Sequence, residues 1–357
     1  RLEKVLKEMQ KRQLTHLIIN DPSSIDYLIN YKNNPGERMY LLLLSSDGHH
    51  KLFMNNLFYL DHELDIEQVW YSDTDNYLQL LADEFDGACS IGIDKNFPAR
   101  FLIPLMNLVD ECHFELGSEC VDRVRMIKDE KEQQLMIEAS KINDLVVDEV
   151  INICAKGNLT EEEVSKQLEE IYQKHGCVGN SFEPIVAYGK NGADNHHSGD
   201  DSRLKVGDSI VIDIGGLYKG YCSDMTRTVF YKEVSPKQKT VYELVLKAQK
   251  AAEAMIKPGV RLCDIDKCAR DIIAEGGYTV EFNHRLGHFI GRDVHEWCDV
   301  SQNFDLEVQE GMTFSIEPGV YLQGEFGVRI EDLVLVTKDG CKVLNSYPKD
   351  LRVIGND

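Results

Sequence analysis

The sequence predicts an α+β protein built from two domains. Three observations support this prediction: the chain has 357 residues of which 43% are hydrophobic, short apolar runs alternate with helical stretches over residues 1–122, and helix pairs with β-hairpins occur twice over residues 123–357. A chain of this length can form two sizeable hydrophobic cores. We therefore expect a smaller α/β N-terminal domain, residues 1–122, and a larger C-terminal domain, residues 123–357.

In the N-terminal domain, the spacing of apolar residues predicts helices and strands in alternation. Helices are predicted over residues 2–12 and 76–85, and the turn Asp21–Ser24 starts another. Strands are predicted over residues 16–20, 41–44, 48–54, 69–71 and 91–94. Helices packed on a mixed sheet are the expected result.

The C-terminal domain begins with a predicted long helix. Apolar residues at helical spacing and charge pairs three or four residues apart support a helix over residues 125–153. Thr160 and Glu163 form a capping box that starts a second helix, which runs to His175. Two more helices are predicted, one from the Ser235-Pro236 cap to about residue 256 and one from Asp264 to the glycines at 276–277.

One stretch, Ser209 to Asp224, carries two acids in a setting that requires an explanation. The β-branched run 210–214 is bounded by glycines and predicts a buried strand that contains Asp213. A glycine-rich turn follows, and a second strand brings Asp224 opposite. A buried carboxylate is costly without compensation, which a metal ion or an arginine can supply. These two residues alone leave both explanations open.

Three further candidate ligands lie in apolar or glycine-bounded segments. They are His288 in RLGHFIG, Glu317 in FSIEPGV and Glu331 in GVRIEDLVLV. Oxygen donors with one imidazole and no thiolate favour Mn²⁺ or Co²⁺ and permit Zn²⁺ or Fe²⁺. Four carboxylates balance the charge of two divalent cations, so we expect two ions rather than one.

These five residues also carry a family resemblance. In order, spacing and flanking sequence, Asp213, Asp224, His288, Glu317 and Glu331 resemble the ligand pattern of the pita-bread metallopeptidases. The chain is most similar to the proline-specific branch, the Xaa-Pro dipeptidases (prolidases) and aminopeptidase P. The resemblance spans the chain and is strongest from about Arg125 onward. It implies a pita-bread catalytic domain behind a creatinase-like N-terminal domain, and hydrolysis of the Xaa-Pro bond at the amino terminus of short peptides or dipeptides.

The resemblance also implies a role for each ligand. Asp224 and Glu331 would bridge the two ions, Asp213 would complete one of them, and His288 with Glu317 would complete the other. Two such ions can lower the pKa of a shared water. Glu317 would then carry a proton from that water to the leaving nitrogen.

Other residues are expected to contact the substrate or to support the ligands. By resemblance, His295 would hold the substrate carbonyl or the developing oxyanion, and His196 would contact the scissile region, with its neighbour His197 as second choice. Arg329 lies two residues before Glu331 on a predicted strand, so both side chains face the same way and Arg329 would steady a metal carboxylate. Trp297 is either a substrate contact or a core aromatic residue.

Two residues depart from the proline-specific pattern. Members of this branch commonly have proline after the second histidine motif and sometimes a basic residue beside it, whereas this chain has Cys298 and Asp299. Asp299 would repel the free carboxylate of a dipeptide. The choice between dipeptidase and aminopeptidase therefore stays open, with Arg329, Arg292 or a residue of a partner subunit as substitutes for the missing cation.

Composition narrows the class of protein. The formal net charge is −22 and clustered lysines and arginines are absent, which argues against a nucleic-acid partner. The ten cysteines contain no C-x-x-C and are expected to be reduced thiols. No apolar run approaches a membrane span and no signal-peptide pattern stands at the start, so we expect a cytoplasmic protein. The resemblance implies a homodimer that acts on short proline-containing peptides.

Two alternatives to a proline-specific peptidase remain. One is a catalytically silent pita-bread module that binds peptides or proteins, which is disfavoured because such modules have lost ligands and this chain has all five. The other is a related enzyme of different specificity. The large N-terminal domain argues against a methionine aminopeptidase, and the complete ligand set argues against creatinase, which works without metals.

Overall fold

The structure is a computed structural model that describes residues 1–60 and 62–356. The backbone divides into two compact units, Arg1–Arg125 and Met126–Asp357. Each unit contains its own buried hydrophobic clusters.

The first unit is a six-stranded mixed sheet with helices on both faces. Its strands are β1 (His16–Ile19), β2 (Leu41–Ser45), β3 (Lys51–Asn55), β4 (Glu67–Tyr71), β5 (Ser90–Ile93) and β6 (His113–Leu116), in the spatial order β4-β3-β2-β1-β5-β6. Its helices are α1 (Leu2–Lys11), α2 (Pro22–Ile29), α3 (Tyr77–Ala82), α4 (Ala99–Leu108) and α5 (Glu119–Met126). The predicted α/β layer is confirmed, and α4, α5 and β6 are additions to it.

Alternation along the strands explains why both faces of this sheet are covered. Leu17 and Ile19 of β1 pack with helices α1, α2 and α5, whereas Ile18 packs on the opposite face with α3 and α4. Strand β2 is buried over its whole length. Successive side chains of a strand point to opposite faces, so a central strand with both faces covered reads as a continuous apolar run.

The second unit contains two helix pairs, each packed on its own sheet. The first pair is α6 (Glu130–Ala155) and α7 (Glu161–Lys174), and it covers the sheet β19-β11-β8-β7. The second pair is α8 (Pro236–Met255) and α9 (Leu262–Glu275), and it covers the sheet β13-β12-β14-β17-β18. The repeated arrangement of helix pairs and hairpins predicted for this part of the chain is confirmed.

The strands of the second unit are short, and most are joined antiparallel. They are β7 (Ile185–Tyr188), β8 (Ser209–Ile214), β9 (Leu217–Tyr218), β10 (Tyr221–Cys222), β11 (Met225–Tyr231), β12 (Gly287–Phe289), β13 (Glu296–Val300), β14 (Thr313–Ile316), β15 (Gly319–Leu322), β16 (Phe326–Arg329), β17 (Asp332–Val336), β18 (Cys341–Val343) and β19 (Val353–Ile354). A 3₁₀ helix, Gly189–Ala193, follows β7. β9 pairs with β10 and β15 pairs with β16 as separate two-stranded ribbons.

Helix boundaries follow the capping side chains. The capping boxes at Thr160 and Ser235 are both formed, as predicted. The single helix predicted over residues 125–153 is wrong, because α5 ends at Met126 and α6 starts at Glu130. Asp129 interrupts it by accepting a hydrogen bond from the backbone N–H of Glu132 in a further capping box. The last helix begins at Leu262 rather than at Asp264, without a side-chain cap.

The predictions for the cysteines and for membrane-spanning helices concern the whole chain. The ten cysteines are all free thiols. Within residues 1–60 and 62–356, no helix combines the length and the apolar character that crossing a membrane requires. Helix α6, with 26 residues, carries charged residues throughout its length.

Strand β16 is held against the 3₁₀ helix by a close backbone approach, which yields a stability prediction. A Cβ atom on Gly327 would collide with the carbonyl oxygen of Gly192. We expect Gly327→Ala to lower the free energy of unfolding by roughly 2–4 kcal/mol, because the obstacle is backbone and cannot turn aside. Chemical denaturation measures this. Gly340→Ala is the matched control, since its Cβ would meet nothing nearer than the carbonyl oxygen of Ile256 at 3.9 Å; an equal loss in both variants would contradict the prediction.

Candidate metal centre

Asp213 lies on β8 and is held by Arg329 of β16. The Nη2 of Arg329 donates to Oδ2 of Asp213 at 2.5 Å. The same guanidinium donates from Nε to Thr226 Oγ1 at 3.1 Å and from Nη1 to the hydroxyl of Tyr321 at 2.9 Å. Arg329 is only 3% exposed. All three of its nitrogen atoms are therefore engaged, which fixes the orientation of the Asp213 carboxylate.

Asp224 and Glu331 are the most deeply buried acids of the group. Asp224 stands between β10 and β11, and Glu331 stands between β16 and β17. Oε2 of Glu331 accepts from Thr226 Oγ1 at 2.7 Å. Within the described residues, Oδ1 of Asp224 and Oε1 of Glu331 have no hydrogen-bond partner. Burial raises the pKa of both carboxyls well above its usual range, and neighbouring carboxylates raise each pKa further.

His288 lies on β12 and presents one ring nitrogen to two of the acids. Its Nε2 is 3.5 Å from Oδ2 of Asp224 and 3.5 Å from Oε1 of Glu317. Its Nδ1 is 3.2 Å from the carbonyl oxygen of Phe289, an arrangement that places the ring proton on Nδ1 and leaves Nε2 as an acceptor. Burial lowers the pKa of His288. A neutral imidazole with a free Nε2 is the form that binds metals.

Glu317 follows β14 and is anchored by a hydroxyl of that strand. Ser315 Oγ donates to Oε1 of Glu317 at 3.1 Å, and the same Oγ accepts from the backbone N–H of His288 at 3.0 Å. Burial raises the pKa of Glu317 to about 7. Ser315 thus sets the relative positions of a carboxylate and an imidazole on neighbouring strands.

Two further predicted histidines face the same cavity. The ring of His295 meets that of His288 edge-on, with centroids 4.3 Å apart. Burial, with smaller contributions from the neighbouring His288, Arg285 and His196, lowers the pKa of His295 to about 4. His295 is therefore neutral near pH 7, with one N–H donor and one acceptor nitrogen. His196 also lines the cavity.

The cavity that these residues line has a volume of about 580 Å³. All eight of the following predicted residues contribute to its wall: Asp213, Asp224, His288, Glu317, Glu331, His196, His295 and Arg329. A pocket of this size accommodates a small ligand. The predicted constellation is thus brought together in one place.

His197 and Trp297 lie outside that wall. His197 Nε2 is 2.6 Å from Oε2 of Glu161 at the start of α7. Trp297 packs edge-on against Phe304, with ring centroids 6.2 Å apart, beside the core of the second helix pair. Their expected roles in substrate binding stay predictions.

Sequence reasoning missed several residues of the cavity and its support. They are Thr226, His284, Arg285, Tyr321 and Glu183. Thr226 carries a usable signal, since it follows Asp224 by two residues and alternation puts both side chains on one face. His284 and Arg285 precede His288 by four and three residues, and Tyr321 follows Glu317 by four, so closeness to a predicted ligand was a signal for these three. Their contacts depend on pairing distant in sequence; His284 Nε2, for example, lies 2.9 Å from the hydroxyl of Tyr321.

The residues present fit divalent cations. Ligand atoms of Asp224, His288 and Glu331 lie within 4.8 Å of one another, and two buried carboxylate oxygens there have no hydrogen-bond partner in the described residues. Unpaired buried charge of this kind is costly, and a cation relieves it. The donor set, carboxylate oxygens with one imidazole, suits hard to borderline divalent ions.

A second acid–histidine group, Glu161, His197 and Asp200, has comparable spacing. It differs from the first because the Glu161 carboxylate is fully used. It accepts hydrogen bonds from the backbone N–H of Tyr188 and of Asp200 and from the side chain of Asn191, and it contacts His197. This group joins α7 to the loop after the 3₁₀ helix, and hydrogen bonds alone account for it.

Comparison with known proteins agrees with this fold and site. Residues 134–338 match the model of metallopeptidase family M24, and residues 1–127 match the creatinase/prolidase N-terminal domain. A buried cavity lined by carboxylates and an imidazole is typical of metal-dependent peptidases. This chain is a member of metallopeptidase family M24 and has the pita-bread catalytic domain of that family behind a creatinase-type N-terminal domain.

Named relatives cover nearly the whole chain. An Xaa-Pro dipeptidase of Pyrococcus horikoshii is 34% identical over 353 residues, 98% of each chain. The crystal structure of a prolidase from Thermococcus sibiricus aligns with a TM-score of 0.94 at 32% identity, covering 99% of this chain and 98% of the other. An X-Pro aminopeptidase from Thermotoga maritima aligns with a TM-score of 0.80 at 29% identity, covering 96% of this chain and 99% of the other.

Because Asp224 and Glu331 each have a buried oxygen that is unpaired within the described residues, bound cations should stabilise the folded protein. We expect Mn²⁺ to raise the melting temperature of the wild-type protein, because the ions bind the folded state alone. Asp224→Asn should lose most of this increase. In the presence of a chelator the variant should be at least as stable as the wild type, because burial and neighbouring carboxylates make ionisation of Asp224 costly and asparagine does not ionise.

Thermal melts with chelator and with Mn²⁺ measure both effects. The exposed residue Glu310 supplies the matched control, since Glu310→Gln removes a carboxylate outside the cavity. An equal Mn²⁺ response in wild type and Asp224→Asn would contradict the prediction.

Proposed function

We propose that the protein is a two-metal peptidase that hydrolyses the Xaa-Pro bond at the amino terminus of short peptides, with dipeptides as its main substrates. The observation that carries this proposal is the pair of unpaired buried oxygens, on Asp224 and Glu331, beside His288 and Glu317. The name of the Pyrococcus horikoshii relative, an Xaa-Pro dipeptidase similar over 98% of the chain, supports the substrate class.

Five residues would hold the two ions. Asp224 and Glu331 would contribute to holding both ions, as the family resemblance implies; both are buried, and each has one oxygen without a partner among the described residues. Asp213, His288 and Glu317 would supply the remaining ligands. When bound, the ions supply Lewis-acid activation of water and of the scissile carbonyl.

The remaining steps belong to side chains of this chain. Glu317 would accept the proton that the attacking water loses and deliver it to the leaving proline nitrogen. The neutral His295 donates its N–H to the oxygen on which negative charge develops. His196 lines the substrate side of the cavity, and Arg329 keeps the Asp213 carboxylate in place.

We further propose Mn²⁺ as the ion, a homodimer as the assembly and the cytoplasm as the location. The oxygen-rich donor set supports Mn²⁺, with Co²⁺, Zn²⁺ and Fe²⁺ as the other candidates. Ten cysteines without a disulfide support a reducing compartment. The net charge of −22 supports peptides rather than nucleic acid as partners.

The substrate class is tested with two peptides at equal concentration, an Xaa-Pro dipeptide and an Xaa-Pro-Xaa tripeptide, on Mn²⁺-loaded protein. We expect faster release of the first residue from the dipeptide, because the relatives named as dipeptidases cover the whole chain at the higher identity. The dipeptide Ala-Ala, which lacks proline, is the control and should react more slowly.

Each outcome points to one class of protein. Cleavage of the tripeptide alone would replace the dipeptidase assignment with an aminopeptidase P, as in the Thermotoga maritima neighbour. Faster cleavage of Ala-Ala would indicate an aminopeptidase of other specificity. A lack of activity on all three peptides would favour a catalytically silent module that binds peptides or proteins.

The assigned role of His295 makes a separate prediction. His295→Ala should reduce kcat roughly 10²–10³-fold, as loss of one preorganised donor to a developing oxyanion does elsewhere. Its content of bound metal should stay at the wild-type value, because His295 is not one of the five ligands. Steady-state kinetics and elemental analysis measure the two quantities.

The control for this prediction is His49→Ala, which removes an exposed histidine from a turn. It should change neither kcat nor metal content. Loss of metal from His295→Ala would reassign this residue as a ligand and overturn its proposed role.

A further inference from the structure

Two arginines line the cavity among the residues that the structure describes, and they differ in what they can still bind. Arg329 donates from all three nitrogens to Asp213, Thr226 and Tyr321. Its side chain is 4% exposed. Burial and these three hydrogen bonds hold it against Asp213, so it is less accessible to a ligand than a more exposed arginine would be.

Arg285 is the other arginine, and it is only partly engaged. Its Nη1 donates to Oδ1 of Asp299 at 2.7 Å, and this is the hydrogen bond it makes within residues 1–60 and 62–356. Its side chain is 33% exposed. A guanidinium carries five N–H donors in a rigid fork, so Nε and Nη2 of this cavity-lining residue remain available to a ligand.

Strand pairing explains why this ion pair forms. Asp299 on β13 is directly opposite His288 on β12, and Arg285 precedes β12 by two residues. A register shift after His288 separates this pairing from the next. The pair consequently stands at the edge of the metal-binding wall, next to the strand that carries a predicted ligand.

Apart from the two arginines, the charged groups of the cavity wall are negative. The four carboxylates of the metal site and the exposed Glu183 line it, and no lysine does among the described residues. Arg285 lies on the same cavity wall as these carboxylates. An anionic end of a ligand thus finds one cation with unused donors in this cavity.

We propose that Arg285, oriented by Asp299, binds the C-terminal carboxylate of the substrate and so sets the preference for dipeptides. The inference rests on the proposed peptidase function and deepens it. Asp299 does not stand as an isolated repelling charge, contrary to the expectation from sequence, because Arg285 neutralises it. Neither Arg329, which is buried and paired with Asp213, nor Arg292, which lies outside the cavity wall and over the ring of Tyr221, takes this role.

The test compares ligands that differ only in their carboxylate. The Mn²⁺-loaded wild type and Arg285→Gln are assayed on Ala-Pro and on its C-terminal amide, and the binding of L-proline and L-prolinamide is measured by calorimetry. We expect Arg285→Gln to raise the KM for Ala-Pro and the Kd for L-proline roughly 10- to 100-fold, as loss of charge-assisted hydrogen bonds does. Values for both amides should change less than about 3-fold.

Two further variants separate positioning from binding. Arg285→Lys keeps the charge without the fork and should fall between wild type and Arg285→Gln for carboxylate ligands. Asp299→Asn keeps an acceptor for Nη1 but removes a negative charge, so it should lower the KM for Ala-Pro and leave that for the amide unchanged. Melting temperature and bound metal verify that each variant is folded and loaded.

The outcomes are distinguishable. Equal changes for carboxylate and amide ligands in Arg285→Gln, or no change in either, would overturn the role of Arg285 while leaving the peptidase function intact. An unchanged KM for Ala-Pro in Asp299→Asn would remove Asp299 from the subsite, whereas a raised KM would show that its orienting contact outweighs its negative charge. A wild type that cleaves neither peptide would overturn the proposed function, and the calorimetric comparison would still decide whether Arg285 recognises a carboxylate.

Discussion

Burial of several carboxylates around one cavity is the constraint on which the catalytic domain depends. Each acid is compensated by a different neighbour: Asp213 by Arg329, Glu331 by Thr226 and Glu317 by Ser315. The compensation is incomplete, because one oxygen of Asp224 and one of Glu331 have no partner within the described residues. Unpaired buried charge is costly, and cations bound in the cavity would compensate it.

A second arginine, Arg227, holds the backbone of the segment that carries Glu331. Arg227 on β11 donates to the carbonyl oxygen of Glu331 at 2.6 Å and to Oδ1 of Asp332 at 2.7 Å, and it is 2% exposed. Lys349 reaches the other oxygen of Asp332 at 2.6 Å. Removing either partner of such a buried pair is strongly destabilising. The segment that carries Glu331 is therefore fixed from its backbone as well as from its side chain, before any ion binds.

Local patterns in the sequence predict much of this arrangement, and long-range pairing accounts for what they miss. The buried strand with Asp213 and the caps at Thr160 and Ser235 follow from residues adjacent in sequence. The break between α5 and α6 was missed because helical spacing continues across Asp129, whose side chain competes for the backbone. The Arg285–Asp299 pair was missed because only the register of β12 with β13 brings the two residues together.

The residues predicted to hold the ions follow from local sequence patterns, whereas the residue pair that we propose for substrate selectivity depends on long-range strand pairing. Four carboxylates balance the charge of two divalent ions, and Arg329 adds one positive charge buried against Asp213. The ends of a bound peptide also meet the more exposed charges of Glu183 and of the Arg285–Asp299 pair. The partly engaged guanidinium of Arg285 attracts a carboxylate at short range, where bidentate hydrogen bonds form, and little at long range, because Asp299 cancels its charge. Such selectivity depends on the geometry of the Arg285 guanidinium rather than on the net charge of the protein.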